Sequence, residues 1–287
     1  MPSRAEALTP ALLRGWPLPE PAGSKYGRGQ VVVVGGGRTS PGAAILAGVS
    51  ALRVGAGRLT LGVARSVSVA TAVAVLEAGV HGLPESEAGA VDGTGTEVLG
   101  PDLDDADAVL VGPGLDDPDR TVALLRALAP GLGTRAAVIL DAFALGVLTG
   151  VPDVSEPLRG RLVLTPNLKE AAALLDSDDV HDEASARIAK RFDAVVSCAG
   201  TVAAPDGRTW TVSTGDSGLA TSGSGDVLAG ALVGLLARGA DPAQAACWAT
   251  HLHAAAGDRL AARVGRVGYL ARELVDELPA VLTELSP

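Results

Sequence analysis

The stretch TSGSGDVLAG sets five small residues, Thr221, Ser222, Gly223, Ser224 and Gly225, directly before a lone carboxylate, Asp226. An apolar, helix-like run follows at 227–237. Glycines let a backbone approach a ligand with no Cβ in the way. The first amides of a helix point outward and carry partial positive charge, so such a turn suits a phosphate or another oxyanion. The acid at its mouth admits two readings. Asp226 can complement the helix dipole, an effect of about 0.3–1 kcal/mol. Alternatively it is a general base, taking a proton from a hydroxyl that attacks a phosphoryl group held by the amides. The second reading is phosphoryl transfer without a P-loop, since the chain contains no GxxxxGK[ST].

Other turns share this character: Gly-Gly-Gly at 35–37, Gly-Pro-Gly at 112–114, Asp141, and Thr-Pro-Asn at 165–167. Singly, each reads as turn chemistry, and Asp141 reads as the cap of a following helix. Gathered on one sheet edge, they read as a ligand site. The histidines point elsewhere. His251 and His253 stand two apart on a predicted helix and face different ways, while His81 and His181 stand alone. All four read as structural or surface residues. The acidic run DLDDAD at 102–107 lacks calcium-loop spacing and reads as a solvated surface turn.

These residues need elements to position them. Strands, most of them running into one of these turns, are expected within 29–37, 58–63, 107–115, 136–145, 161–167 and 193–200. Helical runs lie between them at 42–57, 119–129 and 168–175, and further helices follow at 227–237 and 242–262. This alternation predicts an α/β fold, a three-layer α/β/α sandwich on a mostly parallel sheet, with 1–287 as a single domain. The segment 201–212 breaks the rhythm and reads as a hairpin around Pro-Asp-Gly. In open sheets of this kind, ligands bind beyond the carboxyl ends of the strands, where the unusual turns lie.

Composition narrows the partners. A net charge of -10 argues against nucleic acid and anionic membrane, so an anionic ligand needs a locally positive pocket. No apolar run approaches the roughly 20 residues of a membrane span, and the N-terminus has no apolar signal core. Cys198 and Cys247 have no metal-ligand or CxxC spacing and read as buried free thiols of a cytoplasmic protein.

GLATSGSGDVLAGALVGLLARG, at 218–239, resembles the anion-hole segment of the ribokinase-like superfamily. More narrowly, the chain is similar to the ADP-dependent NAD(P)H-hydrate dehydratases. SKYGRGQVVVVGGG, SPGAAILAGVSALRVGAGRLTLGV, VLVGPGL, VILDAFAL and LTPNLKEAAALL match that family in order, over nearly the whole chain. The match fits a stand-alone dehydratase without an epimerase domain. The resemblance implies a lyase of metabolite repair. A nucleotide, ADP or ATP, phosphorylates the ring hydroxyl of hydrated NADH or NADPH (NADHX, NADPHX), and phosphate is then eliminated. It assigns Asp226 as the base. Gly42, Ala43, Ala44, Gly112, Asn167 and Asp226 would contact the hydrated cofactor. Gly200, Thr201, Gly223, Ser224 and Gly225 would contact the nucleotide. Asn167 and Glu170, matching the superfamily's Asn-x-x-Glu, would organise Mg2+ indirectly; the same pair also reads as a helix start. Lys25 and Arg28 lie in the matching N-terminal motif without an assigned role. The family further implies a homo-oligomer, often a tetramer. Two departures stand out. Thr165-Pro166-Asn167 replaces the usual Thr-Pro-His, and the strand ending Cys198-Ala199-Gly200-Thr201 is one residue short and lacks a lysine, which predicts weaker nucleotide binding. A vitamin-precursor kinase of the same fold and a non-catalytic nucleotide-binding relative are the competing readings.

Overall fold

Four consecutive valines explain the centre of the molecule. Val31 and Val33 lie in one hydrophobic core and Val32 and Val34 in another. A strand buried on both faces belongs inside a parallel sheet covered by helices on either side. The computed structural model describes residues 5–20, 22–177, 180, 183–215 and 217–286, so His181 lies outside the described residues. The strands, numbered along the chain, are β1 (Glu6–Leu8), β2 (Gln30–Val34), β3 (Arg58–Ala64), β4 (Ala78–Leu83), β5 (Ala108–Val111), β6 (Ala137–Leu140), β7 (Leu162–Leu164), β8 (Ala194–Cys198), β9 (Thr201–Ala203) and β10 (Thr209–Val212). Among the described residues they form one ten-stranded sheet in the order β1-β10-β9-β8-β7-β6-β5-β2-β3-β4. The run from β8 to β4 is parallel, β9 is antiparallel to both neighbours, and β1 is parallel to β10.

Two helical layers cover this sheet. One holds α1 (Pro10–Gly15), α2 (Pro41–Arg53), α10 (Ser224–Ala237), α11 (Pro242–Arg263) and α12 (Ala271–Leu285). The other holds α4 (Gly100–Asp104), α5 (Pro118–Leu128), α6 (Phe143–Val147), α7 (Pro152–Ser155), α8 (Leu168–Leu175) and α9 (Ala184–Phe192). The remaining helix, α3 (Arg65–Ala74), packs on edge strand β4. The expected three-layer architecture and the 201–212 hairpin are present.

Several elements differ from the sequence reading. Neither β1 nor β4 was anticipated: one has three residues, and the other is a glycine-containing edge strand with no clear alternation. The run 102–107 is not a solvated turn. Its first part closes α4, and Asp102 accepts from Arg58 and Thr60, each at 3.0 Å, and stands 3.0 Å from His81 Nε2. His81 is therefore structural, as read. Cys198 and Cys247 are free and buried. Among the described residues no helix is long and apolar enough to cross a membrane.

Two features of the fold place the site. The chain leaves β2 for β3 on one side, while β5 pairs with β2 on the other. Strand order therefore reverses at β2, which opens a crevice at the carboxyl ends of β2 and β5. The turns there are laced together: Gly36 N donates to Pro113 O at 2.8 Å and Gly37 N to Gly114 O at 2.9 Å. Helix α10 is also held unusually close to α2. A Cβ at Gly230 would meet Ala47 O at 2.1 Å, and one at Gly234 would meet Ala51 O at 2.5 Å. Bare backbone on one helix and alanines on the other bring the start of α10 beside the start of α2.

Candidate active site

Asp226 stands in the first turn of α10, partly buried. It lines a pocket of about 150 Å³ together with Asp141, Ala142, Thr165, Asn167, Glu170 and Gly225. Burial raises the Asp226 carboxyl to about 6. A base tuned toward neutrality is suited to proton transfer near its working pH. Asn167 and Asp226, distant in sequence, thus meet in one pocket.

Beside this pocket lies a larger cavity of about 720 Å³ that shares Thr165, Asn167 and Gly225 with it. Its wall includes Lys169, Gly200, Thr214, Leu219, Ser224 and His253. This volume is in the range of small-molecule and cofactor sites. The N-terminus of α10 faces both spaces. Gly223, its cap residue, has φ 88° and no side chain to bond the first turn. Ser224 N donates to Thr221 O at 3.2 Å, which leaves the amides of Gly225 and Asp226 to a ligand, as an anion hole requires.

Helix α8 enters the same site with its terminus closed. Asn167 Oδ1 accepts from Lys169 N at 2.9 Å and Glu170 N at 3.0 Å, and Glu170 Oε2 accepts from Asn167 N at 2.8 Å. This is a capping box, so Asn167-x-x-Glu170 is in fact a helix start. The cap uses Oε2 of Glu170 and leaves Oε1 outside it. Burial raises the Glu170 carboxyl.

Asp141, read singly as a helix cap, received no catalytic or binding role from the sequence. It is 5% exposed, and its Oδ1 accepts from Thr165 Oγ1 at 2.6 Å. Burial lifts it to about 8, against the Thr165 hydrogen bond, and the charges of Asp226 and Glu170 add to the rise. It is not the helix cap that its position suggested; Ala142, at φ 46°, precedes α6. The close fit is fixed from below, since a Cβ at Gly112 would lie 2.0 Å from Asp141 O.

His253 was also missed. It stands 2.8 Å from Ser224 Oγ and lines the larger cavity, and burial lowers it to about 4, which leaves a neutral ring. Only the packing of α11 against the start of α10 brings it there, and spacing along α11 carries no such signal.

Of the residues singled out earlier, Asn167, Glu170, Gly200, Ser224, Gly225 and Asp226 line one or both cavities. Gly42, Ala43, Ala44, Gly112, Gly223 and Thr201 line neither. Gly112 sits under Asp141, and a Cβ at Gly114 would touch the Ala43 methyl at 3.1 Å, so the Gly42-Ala43-Ala44 turn borders the β2/β5 crevice. Thr201 pairs with Cys198 and Thr211 inside the sheet. Lys25 and Arg28 precede the amino end of β2, at the far edge from the site. The short turn after β8 has a physical cause. Ala199 at φ 47° and Gly200 at φ 79° form a two-residue connection between the antiparallel strands β8 and β9. Consecutive positive φ values mark the type I′ turn favoured by tight hairpins.

Among the described residues, no three acidic, histidine or cysteine side chains converge as a ready cation cage. Mg2+ beside phosphates binds through one or two carboxylates, retained waters and the phosphates themselves. The uncapped Oε1 of Glu170 fits such a donor set.

With this geometry in view, comparisons with known proteins are informative. Residues 31–280 match the family model of NAD(P)H-hydrate dehydratase. The ADP-dependent (S)-NAD(P)H-hydrate dehydratase of Xanthomonas campestris is 43% identical, covering 98% of each chain. An ADP/ATP-dependent NAD(P)H-hydrate dehydratase from Bacillus subtilis, co-crystallised with ATP and Mg2+, superposes with a TM-score of 0.78 at 25% identity, covering 99% of this chain and 100% of that one. A ribokinase-like superfamily protein from Enterococcus faecalis shares the fold with a TM-score of 0.84 at 23% identity, covering 98% and 96%. The fold is ribokinase-like, and the chain belongs to the NAD(P)H-hydrate dehydratase family.

Proposed function

We propose that this protein is a nucleotide-dependent dehydratase that repairs hydrated NADH and NADPH, with ADP or ATP as co-substrate and Mg2+ as cofactor, acting as one domain over residues 1–287. The observation that carries this reading is the junction at Asn167 and Gly225. There the larger cavity, of nucleotide size, shares wall residues with the small pocket holding Asp226.

In this reading the nucleotide occupies the larger cavity, against Gly200, Ser224 and Gly225, with Gly223 and Thr201 supporting the wall from behind. The hydrated nicotinamide enters from the β2/β5 crevice, bordered by Gly42, Ala43, Ala44 and Gly112, and reaches Asn167 and Asp226. Asp226 accepts the proton of the ring hydroxyl as its oxygen attacks the terminal phosphoryl group. The open amides of α10 hold the charge that spreads over the phosphoryl oxygens. Phosphate then leaves with the electrons of the C–O bond, and loss of a proton from the adjacent ring carbon restores the double bond. Mg2+, when bound near Glu170 and Asn167, neutralises phosphate charge. Asp141, buried and raised to about 8, stays protonated and adds no second negative charge at neutral pH.

Family membership favours this dehydratase over a vitamin-precursor kinase, and a partly buried acid in the first turn of an uncapped helix favours catalysis over a retired binding site. The free buried thiols support a reducing, cytoplasmic setting. Exposed Val69, Val73 and Leu76, beside the free edge strand β4, support a homo-oligomer, with a tetramer as the family's form. The test is incubation with hydrated NADH or NADPH, Mg2+ and either ADP or ATP, following recovery of the reduced-nicotinamide absorbance. Recovery that requires the nucleotide is expected. Phosphorylation of a vitamin precursor without such recovery would favour the kinase.

A further inference from the structure

The larger cavity is short of positive charge. Among the described residues its titratable lining residues are Lys169 and His253, and burial keeps His253 neutral by lowering it to about 4. The turn after β8 contributes only Ala199 and Gly200 to the wall. Next door stand Glu170, Asp226 and Asp141. A nucleoside diphosphate brings several negative charges to this place and needs compensation.

Two helices end here, and they offer different things. The start of α10 carries no side-chain cap, and with Ser224 N bonded to Thr221 O the amides of Gly225 and Asp226 are available. The start of α8 has given the amides of Lys169 and Glu170 to Asn167 Oδ1. What α8 has left to offer is a side chain. Lys169 is the second residue of that helix, where a cation opposes the macrodipole and weakens the helix. It is exposed, lines the cavity, and among the described residues its ammonium has no ion-pair or hydrogen-bond partner. A residue that works against its own helix while facing a ligand cavity calls for a reason in the ligand.

The geometry points to Lys169 as the residue that binds the phosphates of the nucleotide, supplying the charge that the short β8–β9 turn does not. This rests on the nucleotide-dependent reading given above. Lys169 is a binding residue and takes no proton in the reaction. Its ammonium is a mobile point charge on a flexible stem, suited to a phosphate chain.

Calorimetric titration of the full chain with ADP, AMP and adenosine separates the possibilities, using wild type, Lys169→Met and Lys169→Arg. Lys169→Met should weaken ADP by about tenfold, while adenosine binds all three proteins alike. Lys169→Arg should restore most of the ADP affinity, and added salt should narrow the gap between wild type and Lys169→Met. Thermal unfolding of Lys169→Met should occur at the same or a higher temperature, because the unfavourable dipole contact is gone. Unchanged ADP binding in Lys169→Met, or an equal loss for ADP and adenosine, would overturn the assignment while leaving the nucleotide reading in place. Failure of the wild type to bind any of the three ligands would overturn both.

Discussion

Asp141, directly after β6, and Asp226, in the first turn of α10, differ in protonation because their surroundings differ. Asp226 is partly buried and raised to about 6, so it is ionised near neutral pH. Asp141 is 5% exposed and raised to about 8, so it keeps its proton there. Environments that push two acids apart in this way mark an acid and base pair of a site. The shift of Asp141 also has a thermodynamic signature. Its carboxyl is raised from an ordinary value of 3.8, so the folded protein binds a proton that the unfolded chain releases. The stabilisation is complete below about pH 4 and is lost as pH rises through about 8. Asp141→Asn keeps an acceptor for Thr165 but cannot titrate. Metal-free wild type should therefore lose stability from about pH 4 to 8 more steeply than Asp141→Asn in thermal or denaturant unfolding. Equal slopes would show that Asp141 is ionised in the folded state.

At the scale of elements, the approach of α10 to α2 decides whether the anion hole sits over the site. The contact is made by backbone, with Gly230 against Ala47 and Gly234 against Ala51. Gly230→Ala places a methyl within 2.1 Å of Ala47 O, and neither helix has a flexible side chain there to give way. Overpacking of this kind typically costs about 1–3 kcal/mol. The variant should unfold at lower denaturant and also lose turnover, because the displaced helix carries Asp226. A stable, fully active Gly230→Ala would show that the spacing of these helices does not set the site. Much of this level was legible in the sequence. Helix α8 was read at its observed bounds, and the parallel strands announced themselves by valine-rich runs ending in unusual turns. Strands β1 and β4 were not legible, since a three-residue edge and a strand reading AGVHGL carry no alternation to detect. The antiparallel β8–β9 pairing was hidden because it depends on Ala199 adopting a left-handed backbone that alanine does not advertise.

Across the whole molecule, the site is an assembly of strand ends that sequence alone lists and only the sheet order collects. The turns after β2, β5, β6, β7 and β8 reach one edge because the strands between β4 and β8 run parallel. Asp226, Asn167 and Glu170 were readable as local motifs. Asp141 and His253 were not, because the burial that tunes them comes from distant segments. The separation of a nucleotide-sized cavity from a small acidic pocket likewise arises from packing. In the proposed reading, a chain of net charge -10 would hold a polyanionic ligand through helix amides and Lys169 at that edge, against its overall field.

The proposed role of Asp226 as the base is tested most directly by Asp226→Asn, because size and shape are kept while the proton acceptor is lost. The measurement is the rate of reduced-nicotinamide absorbance recovery from hydrated NADH with ADP or ATP and Mg2+, alongside thermal unfolding of the same variant. A rate lower by about 10²–10⁴ is expected, with stability changed by no more than about 1 kcal/mol. A variant that turns over at the wild-type rate, with only its unfolding temperature lowered, would contradict that role and leave Asp226 as an acid that complements its helix.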